Sequence, residues 1–324
     1  MERIKKLQLD FESFLGCQCF NGFPSELYAP IDYTIRQEGK RLRPVLCLLA
    51  CEMVSGSAEK ALFPALSLET FHNFTLIHDD IMDKAPLRRG MATVYKKWNS
   101  NVAILSGDAM FAMALGFALD PSSGKPAETA RLLVKVAREV CEGQQMDLNF
   151  ESQQNISKEA YMEMIRLKTA VLLATSLQMG CLVGGADKDT EQKLYDFGLA
   201  IGLAFQLQDD LLDLYSDVEV FGKISGGDIL EKKKTFLYLT ALQYASQEQR
   251  IALDRYYFDE NLPCDVRIAG VKSIYDLLGV KAYVEKEIDG YLEQSLSLLD
   301  ELNVAEGQKR SLRNFVAKLC DRKK

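Results

Sequence analysis

This chain offers little for cysteine or histidine chemistry. Its 324 residues include two histidines, and its eight cysteines, at 17, 19, 47, 51, 141, 181, 264 and 320, form no C-x-x-C pair. That excludes the usual zinc spacings and a disulfide framework, and points to a reduced, cytoplasmic setting. Positive charge is not in excess either. Lysine and arginine number 39 against 46 acidic residues, a net charge of −7, so no basic stripe argues for nucleic acid. No uninterrupted run of about 18 apolar residues predicts an integral membrane segment, and Met1 to Leu7 lack the apolar stretch of a signal peptide. No Pro/Gly/Ser-rich linker breaks the composition, so residues 1–324 read as a single domain. Period-2 alternation is nearly missing, which excludes a substantial sheet.

What is present is apolar spacing of helical period almost throughout. The fold class is all-α, with helices predicted near 2–16, 43–55, 59–84, 99–119, 127–151, 157–184, 189–217, 227–246, 248–258, 277–301 and 306–321. Pro44 suits a first helical turn, and Pro86 closes the helix before it. Cys47 and Cys51 share a helix face and read as core packing.

Against this apolar background one acidic pattern occurs twice, about 130 residues apart: Asp79-Asp80-Ile81-Met82-Asp83 and Asp209-Asp210-Leu211-Leu212-Asp213. Aspartates at i and i+4 lie on one side of a helix, close enough to share a divalent ion. Clustered carboxylates repel one another and pay for desolvation unless a cation fills the gap. Oxygen ligands without a histidine or cysteine pair favour magnesium over zinc, and magnesium commonly arrives with substrate phosphates. The guest expected from residues alone is therefore a magnesium-borne diphosphate. A solvated acidic face is the plainer reading of one such cluster, but two embedded in apolar helix favour a site.

A diphosphate needs cations, and they lie near each cluster. Gly39-Lys40-Arg41-Leu42-Arg43 places three before a helix start, where backbone N–H groups also favour anions. Arg88 and Arg89 come just after the first cluster. Lys168-Thr169 interrupts an apolar helix, and Lys223 and Lys232-Lys233-Lys234 follow the second cluster. Solvated charge is the alternative for at least two of the last three, and snorkelling for Lys168. His72 lies two turns before Asp79 on the same face, as a phosphate donor or a satisfied helix histidine. His78 reads as structural.

Gly39-Lys40-x-x-Arg43-Pro44, His72, the two aspartate motifs, Arg88-Arg89-Gly90, Gly143-Gln144-x-x-Asp147, Lys168-Thr169, Phe205-Gln206 and Gly222-Lys223 together closely resemble the trans-type isoprenyl diphosphate synthases. The match runs in order over residues 39 to 235, and the C-terminal third carries no diagnostic motif. The resemblance implies a helix bundle around a central cavity, usually a homodimer. It implies prenyl transfer: an allylic diphosphate ionises, isopentenyl diphosphate attacks through its double bond, and loss of a proton leaves a chain five carbons longer. It further implies that Asp79, Asp83 and Asp209 bind magnesium, three ions once substrate is present. Arg88, Lys168, Thr169, Gln206, Lys223 and Lys233 would hold the allylic diphosphate, and Lys40, Arg43, His72 and Arg89 isopentenyl diphosphate. Of these, Asp79, Asp83, Arg88, Lys168, Asp209 and Lys223 would serve the ionising step.

In this family the residue five before the first aspartate often floors the hydrocarbon pocket. Here that is Phe74, with Thr75 beside it and Phe71 one turn earlier, implying a product of fifteen carbons first and twenty next. A helix wheel turns Phe74 away from Asp79, so core packing is the alternative. Two other functions compete. A class I terpene cyclase also opens allylic diphosphates but carries a different triad on its second helix. A non-catalytic helical partner subunit would have no reason to keep both aspartate motifs. The basic end, Arg322-Lys323-Lys324, reads as a disordered tail or a cover for a bound diphosphate.

Overall fold

The computed structural model describes residues 2–216 and 226–321. Among the described residues the regular structure is helical apart from one short hairpin, β1 (Leu87–Arg88) with β2 (Met91–Ala92), paired antiparallel with Arg88 opposite Met91. In chain order the helices are α1 (Glu2–Gly16), α2 (Ser25–Ile35), α3 (Leu42–Ser55), α4 (Leu62–Met82), α5 (Val94–Lys97), α6 (Ser100–Ala118), α7 (Pro126–Ser152) and α8 (Lys158–Ile165). They continue as α9 (Val171–Gly184), α10 (Lys188–Tyr215), α11 (Gly227–Leu230), α12 (Phe236–Tyr244), α13 (Gln247–Phe258), α14 (Cys264–Leu278), α15 (Val280–Asp300) and α16 (Glu306–Asp321). The all-α expectation holds.

The helices form two compact units. The first comprises Met1–Arg138, Leu172–Tyr195 and Glu301–Phe315. Its core is centred on α4, packed against α3 and α6 through Leu66, Leu68, Phe71 and Met110, all buried. Ser67 Oγ donates to Ala114 O at 2.8 Å and ties α4 to α6, and Ser106 Oγ donates to Leu27 O at 2.9 Å and ties α6 to α2. Cys47, Cys51 and Cys181 are buried here, and burial pushes their thiols up, so they pack as small apolar groups. The second unit comprises Glu139–Val171, Asp196–Asp300 and Val316–Lys324. Phe197, Ile201, Leu207, Tyr257, Tyr275 and Ile288 are buried in it.

The structure departs from the sequence reading at four places, each with a local cause. Helix α2 was hidden by prolines. Pro24 caps it and Pro30 lies inside it, where the missing N–H normally ends a helix. Helix α14 was hidden by Gly270, a poor helix former at its centre. The expected helix over 227–246 is broken, because Lys232 adopts a left-handed backbone with φ of 59° between α11 and α12. The expected helix over 157–184 is interrupted by a π turn at Arg166–Ala170. Two helices, Ser100–Ala118 and Lys158–Gly184, are long and apolar enough on averaged hydropathy to cross a membrane, and the second is mostly core. No uninterrupted apolar run had flagged either of them.

Candidate functional site

In the first unit, α4 carries Asp79 to Asp80 in its last turn and Asp83 at its C-cap. The three carboxylates are not equivalent. Asp80 is 4% exposed and accepts from Arg88 Nε at 2.7 Å, whereas Asp79 is half-buried and Asp83 exposed. Burial raises the Asp80 carboxyl, and the adjacent Arg88 opposes that shift. The hairpin explains how Arg88 reaches back. Arg89 and Gly90 form its turn with φ of 53° and 77°. Two successive positive φ angles define the tight turn that suits hairpin twist and call for glycine at its second place. The Arg-Arg-Gly sequence is thus a turn that sends its two arginines to different partners.

Arg89 Nη1 donates to Glu38 O at 3.3 Å, beside Gly39 and Lys40. Arg43, in the first turn of α3, points Nη1 at His72 Nε2, 3.0 Å away. Arginine can only donate, so Nε2 accepts and the ring proton sits on Nδ1. Burial and the neighbouring Arg43, Arg89, Arg88 and Arg41 keep His72 neutral by lowering its pKa well below the usual value. Burial also pushes Arg43 down to about 10, and its Nε is buried without a hydrogen-bond partner. A cluster of arginines around a neutral histidine, with a buried donor that has no partner in the protein, has the chemistry to hold an anion.

Arg41 does not belong to that cation set, contrary to the three-cation reading. It is 3% exposed, with a left-handed backbone (φ of 45°), and its guanidinium is fully engaged. Nε donates to Glu12 at 2.7 Å, Nη1 to Glu69 at 2.7 Å, and Nη2 to Ile35 O and Gln37 O at 2.9 Å each. It locks the loop that separates Lys40, which is exposed, from Arg43. Glu69, absent from the sequence reading, is buried on α4 facing these arginines.

In the second unit, the aspartate motif of α10 has the same internal division. Asp210 is 6% exposed and accepts from Tyr161 Oη and from Gln206 Nε2, the latter at 3.0 Å. Asp209 is exposed and Asp213 half-buried. Gln206 is in turn held by Thr169, whose Oγ1 donates to Gln206 Oε1 at 3.0 Å. Lys168 Nζ donates to Asp147 Oδ2 at 2.6 Å, which refutes simple snorkelling and explains the Gly-Gln-x-x-Asp motif of α7. Lys168 and Thr169 lie on the π turn, a distortion that recurs at functional sites. Gly143 lets α7 approach it, since a Cβ there would come within 2.3 Å of Lys168 N.

Downstream, Asp228 N donates to Asp213 Oδ2 at 3.0 Å. Lys233 Nζ lies 2.7 Å from Glu231 and 4.0 Å from Asp228. None of Lys232 to Lys234 is merely solvated. Lys232 pairs with Glu260, and Lys234 donates to Phe150 O and Gln153 O at 2.8 and 2.5 Å, capping the end of α7. Lys223 and Arg322 to Lys324 lie outside the described residues.

The donor set fits a hard cation. Burial first, and then the charges of neighbouring aspartates, raise the Asp210 and Asp228 carboxyls above the usual carboxylate range. Among the described residues no three His, Cys, Asp or Glu side chains converge into a ready-made metal site. Phe74 packs at 5.5 Å from Phe71, 5.5 Å from Phe111 and 4.8 Å from His78, and Thr75 Oγ1 donates to His72 O at 2.8 Å. Phe111, on α6, completes an aromatic cluster that the sequence did not disclose.

Comparison with known proteins agrees. The polyprenyl synthetase family matches residues 24–274. The chain is 36% identical over 282 residues to the geranylgeranyl diphosphate synthase of Methanosarcina mazei, covering 86% of this chain and 85% of that one. It is 31% identical over 288 residues to a (2E,6E)-farnesyl diphosphate synthase of Mycobacterium bovis, covering 88% and 80%. A crystal structure of a geranylgeranyl pyrophosphate synthase superposes with a TM-score of 0.93, at 40% identity and 98% coverage of both chains. An all-α fold of the isoprenoid synthase kind, two DDxxD segments and these similarities define the class, and the chain belongs to the polyprenyl synthetase family.

Proposed function

We propose that this protein is a magnesium-dependent, short-chain trans-prenyl diphosphate synthase that condenses isopentenyl diphosphate with an allylic diphosphate and releases diphosphate. One observation carries the reading. Each aspartate motif buries its middle carboxylate against a protein donor, Arg88 for Asp80 and Tyr161 with Gln206 for Asp210, and keeps its flanking pair nearer solvent. Asp79, Asp83 and Asp209 are then the ligands for magnesium. When bound, the metal neutralises the diphosphate that departs from the allylic carbon.

The chain's own residues divide the remaining work. Arg88, Lys168, Thr169, Gln206, Lys223 and Lys233 hold the leaving diphosphate, where negative charge develops as the carbon–oxygen bond breaks. Lys40, Arg43, His72 and Arg89 hold isopentenyl diphosphate, which must not ionise. The orphaned Nε of Arg43 and the Nδ1–H of His72 are donors suited to its phosphate oxygens. The leaving diphosphate serves as the base, so no side-chain nucleophile is needed. The two compact units act as one catalytic domain, supported by a family match that runs through both.

We place geranylgeranyl diphosphate, with twenty carbons, ahead of farnesyl diphosphate. The sequence favours the reverse order, but the similar proteins lean toward the longer product. The setting is cytoplasmic and the assembly a homodimer. Product analysis by mass spectrometry tests the proposal, using isopentenyl diphosphate with each of the C5, C10 and C15 allylic starters, with and without magnesium. Elongation of all three, stopping at twenty carbons, is expected. Release of hydrocarbon from farnesyl diphosphate alone would identify a cyclase instead, and no turnover by the purified chain would identify a partner subunit.

A further inference from the structure

The C-terminal third carries no diagnostic motif, yet it holds the backbone from which Lys233 projects. That backbone begins on the second aspartate motif, with Gly226 N donating to Asp213 O at 2.7 Å and Asp228 N to Asp213 Oδ2 at 3.0 Å. It then turns sharply, with Lys232 left-handed and Lys233 N donating to Asp228 O at 2.9 Å. The far end is pinned from α13. Tyr257, fully buried, donates its hydroxyl to Lys233 O at 2.7 Å.

Tyr257 is itself fixed by Arg267 on α14. This buried arginine donates through Nε to Tyr256 O at 3.1 Å, and through Nη2 to Tyr257 O at 2.6 Å and Ile229 O at 3.1 Å. Its acceptors are the last-turn carbonyls of two helices, α13 and α11, where a cation is favoured by the helix dipole. A buried charge is costly unless its donors are used, and an apolar side chain could fill the same space. A planar fork that grips carbonyls from two separate segments fixes their relative position.

We propose that Tyr257 and Arg267 are positioning residues for the allylic diphosphate. They act through Lys233 by holding its backbone so that the amine can leave Glu231, 2.7 Å away, for the ligand. The inference rests on the role given to Lys233 in the proposed function.

A double-mutant cycle between Tyr257→Phe and Lys233→Ala tests it. Tyr257→Phe should raise KM for the allylic substrate about 2- to 10-fold, the range of one hydrogen bond. KM for isopentenyl diphosphate should hardly change, while the melting temperature should fall by the few degrees that one buried hydrogen bond is worth. In the Lys233→Ala background the same substitution should add nothing. Arg267→Lys, which keeps the charge but loses the fork, should show the same substrate asymmetry. Equal effects on both substrates, or full additivity in the cycle, would overturn the proposal. An active wild type whose Lys233→Ala variant keeps its allylic KM would overturn the positioning role alone. A wild type without condensation activity would remove the proposed function as well.

Discussion

Asp80 accepts from Arg88 Nε at 2.7 Å, an ion pair that leaves Asp79 and Asp83 as the more solvent-facing carboxylates of the first motif. Asp79→Ala and Asp209→Ala should therefore lower kcat by at least about 10²- to 10³-fold, as expected for loss of a charge-stabilising group. Circular dichroism should show unchanged helix content. Asp80→Asn keeps an acceptor for Arg88, so its kcat should fall less, with a larger effect on allylic KM. Near-full activity of Asp79→Ala at saturating magnesium would contradict the assignment.

Phe74 shares its cluster with Phe71, Phe111 and His78. Phe74→Ala should lengthen the main product by at least one five-carbon unit and destabilise the fold by about 2 kcal/mol, less than a fully buried phenylalanine. Mass spectrometry and urea denaturation read the two effects separately. Loss of stability with an unchanged product would leave packing as the role of this ring.

His72 predicts an acid-sensitive fold in the absence of substrate. Its folded-state pKa lies well below the ordinary 6.5, with burial as the main cause, and Arg43 and Arg89 next. Above pH 6.5 both folded and unfolded histidine are neutral, and the group adds no pH dependence. Below 6.5 the unfolded chain binds a proton that the folded chain refuses. Stability is then lost as pH falls, by at most about 1.4 kcal/mol per pH unit from this residue. His72→Asn should flatten the denaturation midpoint between pH 7 and 5, and an unchanged slope would rule the residue out.

Gly143 presses against the amide of Lys168, with backbone rather than a flexible side chain as its neighbour. Gly143→Ala should destabilise the protein by about 1–3 kcal/mol through overpacking. It should also raise allylic KM through displacement of Lys168, measured by steady-state kinetics beside thermal unfolding. An Ala variant with wild-type KM would show that the contact is structural only.

The chemistry was more legible in the sequence than the architecture that carries it. The aspartate spacing and the arginines after it pointed to a diphosphate site because charge in apolar helix is costly and stands out. The identity of the buried partners did not stand out. Glu69, Tyr161 and Phe111 look like ordinary helix residues, and only tertiary packing brings them to Arg41, Asp210 and Phe74. Arg41 read as a phosphate cation because its neighbours do, and its real partners come from α1, α4 and the end of α2. Helices α2 and α14 were missed because Pro30 and Gly270 lower local propensity, which packing then overrides.

The π turn at Arg166–Ala170 fits one more residue into a single coil than an α-helix allows. Side chains before and after it are therefore rotated out of phase by about 100°, the angle one residue sweeps in an α-helix. Deleting one residue from this turn would restore the α-helical phase and swing its upstream half, Tyr161 included, off the bearing that meets Asp210. Shortening the chain here should thus cost far more stability than replacing Lys168 or Thr169 by alanine.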